Sequence, residues 1–201
     1  MPSHIQSGAA RGSSKRAQFL STTILVTLLS GPALADSLTW NPAGDPAGAS
    51  TGGNGDWDTA TGNWDNGVAN GLTFTNGADD VTFTGTGDTI AINNGGTTVN
   101  PTALSFGADG VTINGPDALN VAGSITFTNG AFGATINAEM EGALTFNSAG
   151  TLTLTANNSA NFNGSHQVGS AGTLVIDNDN ALGDGTGNLA VSGAGTVDVT
   201  G

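Results

Sequence analysis

From residue 72 onward, apolar and polar positions alternate in short runs. Five triplets repeat one theme: Leu72-Thr73-Phe74, Val81-Thr82-Phe83, Leu104-Ser105-Phe106, Ile125-Thr126-Phe127 and Leu144-Thr145-Phe146. Each places an apolar residue and a Phe on one side of an extended backbone and a small hydroxyl residue on the other, because successive side chains of a strand point to opposite faces. The segments TIAIN, VTIN, TLTLT, TLVID, NLAVS and TVDVT alternate in the same way. β-branched and aromatic residues suit a half-buried pleated surface. Between the runs lie NGADD, NNGG, GADG, NGPD, NGAFG and GDGTGN. Asn-Gly and Asp-Gly adopt positive φ cheaply, so these are turns. The best helix candidate, NAEMEGAL, is too short to stand as one.

The spacing sets the architecture. Phe83, Phe106, Phe127 and Phe146 are separated by 23, 21 and 19 residues. A quasi-regular period of this size marks a solenoid, and three short strands with their turns would fill one coil. Stacked coils would line up Leu, Ile, Val and Phe in a continuous interior and pair every strand with those above and below. The expected fold is all-β, a solenoid of stacked coils over 72–201. An antiparallel β-sandwich is the alternative, since strands spaced by about 8–12 residues also suit one.

Charge divides the chain. The three basic residues, Arg11, Lys15 and Arg16, precede the apolar run of AQFLSTTILVTLLSGPALA, and all sixteen acidic residues follow from Asp36 onward. A basic start, a short apolar stretch and Ala33-Leu34-Ala35 read as a cleaved signal peptide over 1–35. The remaining chain would carry sixteen carboxylates and no Lys or Arg. Such a surface repels phosphate backbones and anionic lipid, which argues against nucleic acid and membrane-surface partners. It also offers no cation to hold a phosphorylated or uronic-acid substrate. With no Cys there are no disulfides to staple the fold.

Candidate chemistry is sparse. Trp57 and Trp64 lie in GNGDWDTATGNWDNG, within a Trp-rich segment spanning 36–71. Two readings compete for them. Indoles buried against the first coil would cap it, with the Asp after each Trp, Asn63 and Asn66 tying turn amides. Exposed indoles rimmed by Asp and Asn would instead stack on glycan rings. His166 follows Ser165 in NGSHQVG, where a solvated turn histidine is expected; neighbours on a strand point apart and cannot form a nucleophile–base pair. Glu139 and Glu141 could share a strand face at about 6.6–6.8 Å, a separation not foreign to glycosidase carboxylates. Asp177, Asp179 and Asp184 lie among flexible glycines as weak Ca²⁺ candidates, although Ala181 stands where an EF-hand loop needs an oxygen ligand. Asp79-Asp80 reads as a charged turn. No catalytic residue and no cofactor is expected.

Gly150-Thr151-Leu152-Thr153-Leu154 is followed by ANNSANFNGSHQV, by Gly172-Thr173-Leu174-Val175-Ile176 and by NALGDGTGNLAVSGAGTVDV. This order resembles the autotransporter-associated β-strand repeat of Gram-negative exported proteins. Phe162 stands where that family usually has Tyr, and Asn163 and Gln167 depart from its Gly- and Thr-rich wording. The stretch from Trp40 through GDWDTATGNWDNG to DDVTFTG is similar to the opening region of such proteins. The resemblance implies a right-handed β-helical passenger, displayed at the outer membrane or released from it. The membrane β-barrel that ends an autotransporter is not seen, and the repeats run to Gly201 without a closing segment. The expectation is therefore a fragment truncated at its C-terminal end, touching membrane only through a barrel or anchor outside it. Its function would be adhesin-like, a stalk presenting Thr and Asn rows to host or cell-surface glycans or proteins. The rivals are a carbohydrate-binding module built on the tryptophans and a polysaccharide-active β-helix enzyme with catalytic rungs beyond residue 201.

Overall fold

The computed structural model describes residues 35–158, 161–185 and 187–200. The signal peptide expected over 1–35 lies outside these residues except for Ala35. Fifteen strands are present among the described residues, and no helix. In chain order they are β1 (Ser37–Trp40), β2 (Gly55–Trp57), β3 (Trp64–Asp65), β4 (Asp80–Phe83), β5 (Thr89–Ile92), β6 (Leu104–Phe106), β7 (Val111–Asn114), β8 (Ile125–Phe127), β9 (Gly133–Ile136), β10 (Thr145–Phe146), β11 (Gly150–Leu154), β12 (His166–Val168), β13 (Gly172–Ile176), β14 (Leu189–Val191) and β15 (Thr196–Val199).

These strands form two sheets of a parallel β-solenoid of about five turns. One sheet runs β3-β1-β4-β6-β8-β10-β12-β14, and the other β2-β5-β7-β9-β11-β13-β15. Every pairing is parallel except that of β3 with β1. The alternation read from the sequence sets which side chains enter the core: Leu104 and Phe106 are buried while Ser105 is not, and Leu152 and Leu154 are buried while Thr151 and Thr153 are not. In-register pairing stacks the inward residues, as in Ile90-Ile113-Ile136-Leu154-Ile176. Apolar burial along such columns is the main force holding the coils together.

The third side of each coil is not the strand expected. It is reduced to single bridges, Val99 to Leu119 and Leu119 to Met140. One coil further on, buried Asn158 supplies side-chain bonds in that position. Its Oδ1 accepts from the Met140 amide at 2.8 Å, and its Nδ2 donates to the Ala181 carbonyl at 2.7 Å. NAEMEGAL is thus a turn through this side, with Met140 pointing in.

The phenylalanine column also departs from expectation. Phe83, Phe106 and Phe127 are in register, with ring centroids 6.1 and 5.1 Å apart. Phe146 is not the next member: it pairs with Ile125 and continues the column Val81-Leu104-Ile125 into Val168 and Val191. The chain has slipped by two residues. A two-residue slip leaves every side chain on its original face, so it exposes no apolar residue. Leu72-Thr73-Phe74 likewise makes no parallel strand. Leu72 forms one antiparallel bridge to Trp64, and Phe74 packs among the tryptophans.

Candidate functional site

The regular outer surface follows from the same register. On the first sheet Thr39, Thr82, Ser105 and Thr126 stack in one outward column. On the second, Thr89, Thr112, Thr135 and Thr153 do so, followed by Val175 and Asp198. Neighbouring strands lie about 4.8 Å apart, so each column repeats its hydroxyl at that interval. Beside the second column, Asn137 Nδ2 donates to Asn114 Oδ1 at 2.6 Å, Thr155 Oγ1 bonds Asn137 Oδ1, and Thr200 Oγ1 donates to Asp177 Oδ1 at 3.1 Å. Bonds between rungs fix these side chains before any partner arrives.

The tryptophans do not join this surface. Trp40, Trp57 and Trp64 are fully buried, so neither candidate indole has a face open to a sugar ring. They pack with Phe74 and Phe83 as a plug: Trp40–Trp64 centroids are 4.9 Å apart, Trp57–Trp64 5.4 Å and Trp57–Phe83 5.5 Å, all edge-on. Trp40 Nε1 donates to the Gly53 carbonyl at 2.7 Å, whereas Nε1 of Trp57 and of Trp64 is buried without a hydrogen-bond partner. Antiparallel β3 covers the outer edge of β1. Segment 36–71 also begins the solenoid itself, since β1 and β2 pair in parallel with β4 and β5.

The surrounding carboxylates and amides hold turns. Asp58 Oδ1 accepts from the amides of Ala60 at 2.6 Å and Thr61 at 2.5 Å, and Asp65 accepts from Gly48 and Gly67, both at 2.6 Å. Asn63 Nδ2 donates to the Asp56 carbonyl at 2.9 Å, and Asn66 Oδ1 accepts from Val68 and Ala69 at 3.1 and 2.9 Å. Two carboxyls here sit below the ordinary carboxylate range. For Asp45 the Thr51 hydroxyl and amide stabilise the anion. For Asp58, burial opposes ionisation, and the bonds from Thr61 and Ala60 together outweigh it. Asp79, read as part of a charged turn, is instead buried and accepts from the amides of Asp36 and Thr75 at 3.1 and 2.7 Å. Buried Asp117 likewise accepts from Asn94 at 2.5 Å and Gly96 at 3.0 Å.

The remaining candidates are dispersed. Glu139 is exposed beside Met140, while Glu141 accepts from Thr98 Oγ1 at 3.0 Å and Asn161 Nδ2 at 3.4 Å. Asp177, Asp179 and Asp184 are all exposed. Among the described residues, no three His, Cys, Asp or Glu side chains are grouped so that they could hold a metal ion. No pocket is formed among the described residues.

His166 is the residue the sequence misjudged. It is not on a solvated turn but opens β12, 2% exposed, while Ser165 faces solvent. Its Nδ1 accepts from the Leu144 amide at 3.1 Å, and its ring lies 4.2 Å from that of Phe162. The alternation in His-Gln-Val was the available signal, since it puts His166 and Val168 on one face.

No family model and no solved structure matches the chain. Over 113 residues, covering 51% of this chain, it is 37% identical to the Adhesin BmaC autotransporter of Brucella suis biovar 1 (strain 1330). The chain spans 3% of that relative's length. This similarity and the β-solenoid together fit a fragment of an autotransporter passenger.

Proposed function

We propose that this chain is a structural segment of an exported, surface-displayed adhesin. It would act as a β-solenoid stalk without chemistry of its own, presenting its polar columns to glycans or proteins on a host or neighbouring cell. Residues 36–71 would serve as its capping segment. The observation that carries the reading is the in-register outward column Thr89-Thr112-Thr135-Thr153 on a closed core. Four hydroxyls at a fixed interval form a preordered polar surface that loses little side-chain entropy on binding. The adhesin relative supports the same role and an outer-membrane or cell-surface location. The core, filled by side chains and without a pocket among the described residues, favours surface recognition over enclosure of a small substrate.

The test is adhesion of beads coated with the chain to cultured epithelial cells. Thr112→Lys/Thr135→Lys, which alters only outward positions, should abolish adhesion while circular dichroism and melting stay unchanged. Adhesion equal to that of the unmodified chain would show that this column is not the binding surface. Cleavage of a polysaccharide by the purified chain would overturn the non-enzymatic reading.

A further inference from the structure

The solenoid interior is apolar almost throughout, yet it contains one imidazole. His166 sits at the start of β12, between β10 and β14. Because Nδ1 accepts the Leu144 amide, the ring is the neutral tautomer with its proton on Nε2. Nε2 is itself buried and has no hydrogen-bond partner. It points at a crowded turn: a Cβ on Gly187 would lie 3.3 Å from it and 2.3 Å from the Gly164 carbonyl. The same residue joins three coils, since its amide donates to the Asn188 carbonyl at 2.7 Å and the next amide, of Gln167, donates to the Leu144 carbonyl at 2.7 Å.

We propose that His166 is an acid-sensitive latch: a proton on Nδ1 breaks its bond from the Leu144 amide and loosens the coils from β10 onward. A charged ring there would lie among buried apolar side chains, with only the backbone of Leu182 and Phe162 favouring it. Two N–H groups would then need acceptors in a site where one already has none, and Leu144 N–H would face a donor. β10, β12 and β14 carry no other charged group, and among the described residues the adjoining turns contribute Glu139, Glu141, Asp177, Asp179 and Asp184. Glu141 is engaged with Thr98 and Asn161, Asp177 with Thr200, and Glu139 and the three aspartates are exposed. No Lys or Arg occurs after Arg16. Burial holds the His166 pKa below its ordinary value, against a smaller opposing pull from the nearby backbone of Leu182 and Phe162.

The sign follows from linkage. The unfolded imidazole titrates near 6.5 and takes up a proton before the folded one does, so the latch is fully closed above that pH and weakens as pH falls below it. His166 is the one imidazole among the described residues, and imidazole is the side chain whose ordinary pKa lies in that window. Among the described residues the coils ahead of β10 contain no histidine, and they should be indifferent.

The experiment is hydrogen exchange on the full chain at pH 7.5 and 5.0, corrected for intrinsic rates, with His166→Asn alongside. The opening constants of the Leu144, Gln167 and Ser192 amides should rise on acidification by up to about 30-fold, the bound set by an unfolded pKa of ~6.5. The Val81 and Leu104 amides should not change. In His166→Asn, where Oδ1 can still accept from Leu144, the rise should vanish. Equal acid sensitivity in both proteins, or none in the unmodified chain, overturns the latch. Should His166→Asn fail to fold, the imidazole resonance of the unmodified chain decides: its titration midpoint must coincide with the loss of protection, and separate midpoints overturn the proposal.

Discussion

The Ser148 hydroxyl makes both ladder bonds of Phe127: it accepts from the Phe127 amide and donates to the Phe127 carbonyl, each at 3.0 Å. This is what makes the two-residue slip between β8 and β10 tolerable. With Phe146 opposite Ile125, the Ser148 side chain bonds Phe127 on the β10 side, in the place of a strand residue, while Phe106 pairs with it on the other. Ser148→Ala would leave a part-buried donor and acceptor unmet. It should lower stability by about 1–3 kcal/mol, read as a fall in the urea midpoint, while Ser148→Thr should retain much of it.

Gly150 completes the same junction. It has φ of +126°, and a Cβ there would lie 2.8 Å from Phe127 Cδ2 and 2.9 Å from the Phe132 carbonyl. Gly150→Ala combines backbone strain with overpacking, and should destabilise by about 2–4 kcal/mol in the same urea titration.

Asn158 makes a similar repair on the third side, where the coils meet through one residue at a time. Asn158→Asp keeps an acceptor for Met140 N–H but sets a carboxylate against the Ala181 carbonyl. It should therefore be at least as harmful at pH 7 as Asn158→Ala, which is expected to cost roughly 2 kcal/mol or more. Thermal melts of the two variants side by side check the order.

The aromatic plug gives a prediction of another kind. Trp64 touches Trp40, Trp57, Phe74 and Phe83, so Trp64→Ala opens a cavity at the covered end. A loss of about 3–5 kcal/mol is expected, together with concentration-dependent association as the first coil is exposed. Light scattering on dilution series measures the second effect.

Below the His166 window lies a carboxylate window. Asp45 and Asp58 have folded pKa values below their ordinary ones. Their contribution is present above the unfolded value of ~3.9 and is lost as pH falls through the folded values. The turns at 41–51 and 58–61 should therefore loosen only below about pH 4. Side-chain carboxyl resonances followed by NMR should titrate later in Asp45 and Asp58 than in a peptide.

The strands were legible because a period of two is a strong signal when Thr alternates with Phe, Leu or Ile. Val81-Thr82-Phe83 and Leu104-Ser105-Phe106 stand as read. Register was not legible at Phe146, because Leu144-Thr145-Phe146 can be set beside Ile125-Thr126-Phe127 in two ways that bury the same face. Ser148 and Gly150, outside the motif, decide between them. The third side was hidden for a related reason: one inward residue per coil has no period. The tryptophans were visible as anomalies, but only packing separates a plug from a platform. His166 was missed because Gly164 and Ser165 before it suggest a turn, and its strand is only three residues long.

The central claim is that coils stack in parallel and in register behind one polar column. Spin labels at Thr89 paired in turn with labels at Thr153, Val175 and Asp198 test it most directly. These sites lie three, four and five rungs from Thr89 along one column. Measured separations should rise by about 5 Å at each step, from roughly 14 to 24 Å between backbones, following the spacing of parallel strands. Separations that fail to increase in that order would mean that the strands are arranged as a folded-back sandwich, and the stalk reading would fall with the solenoid.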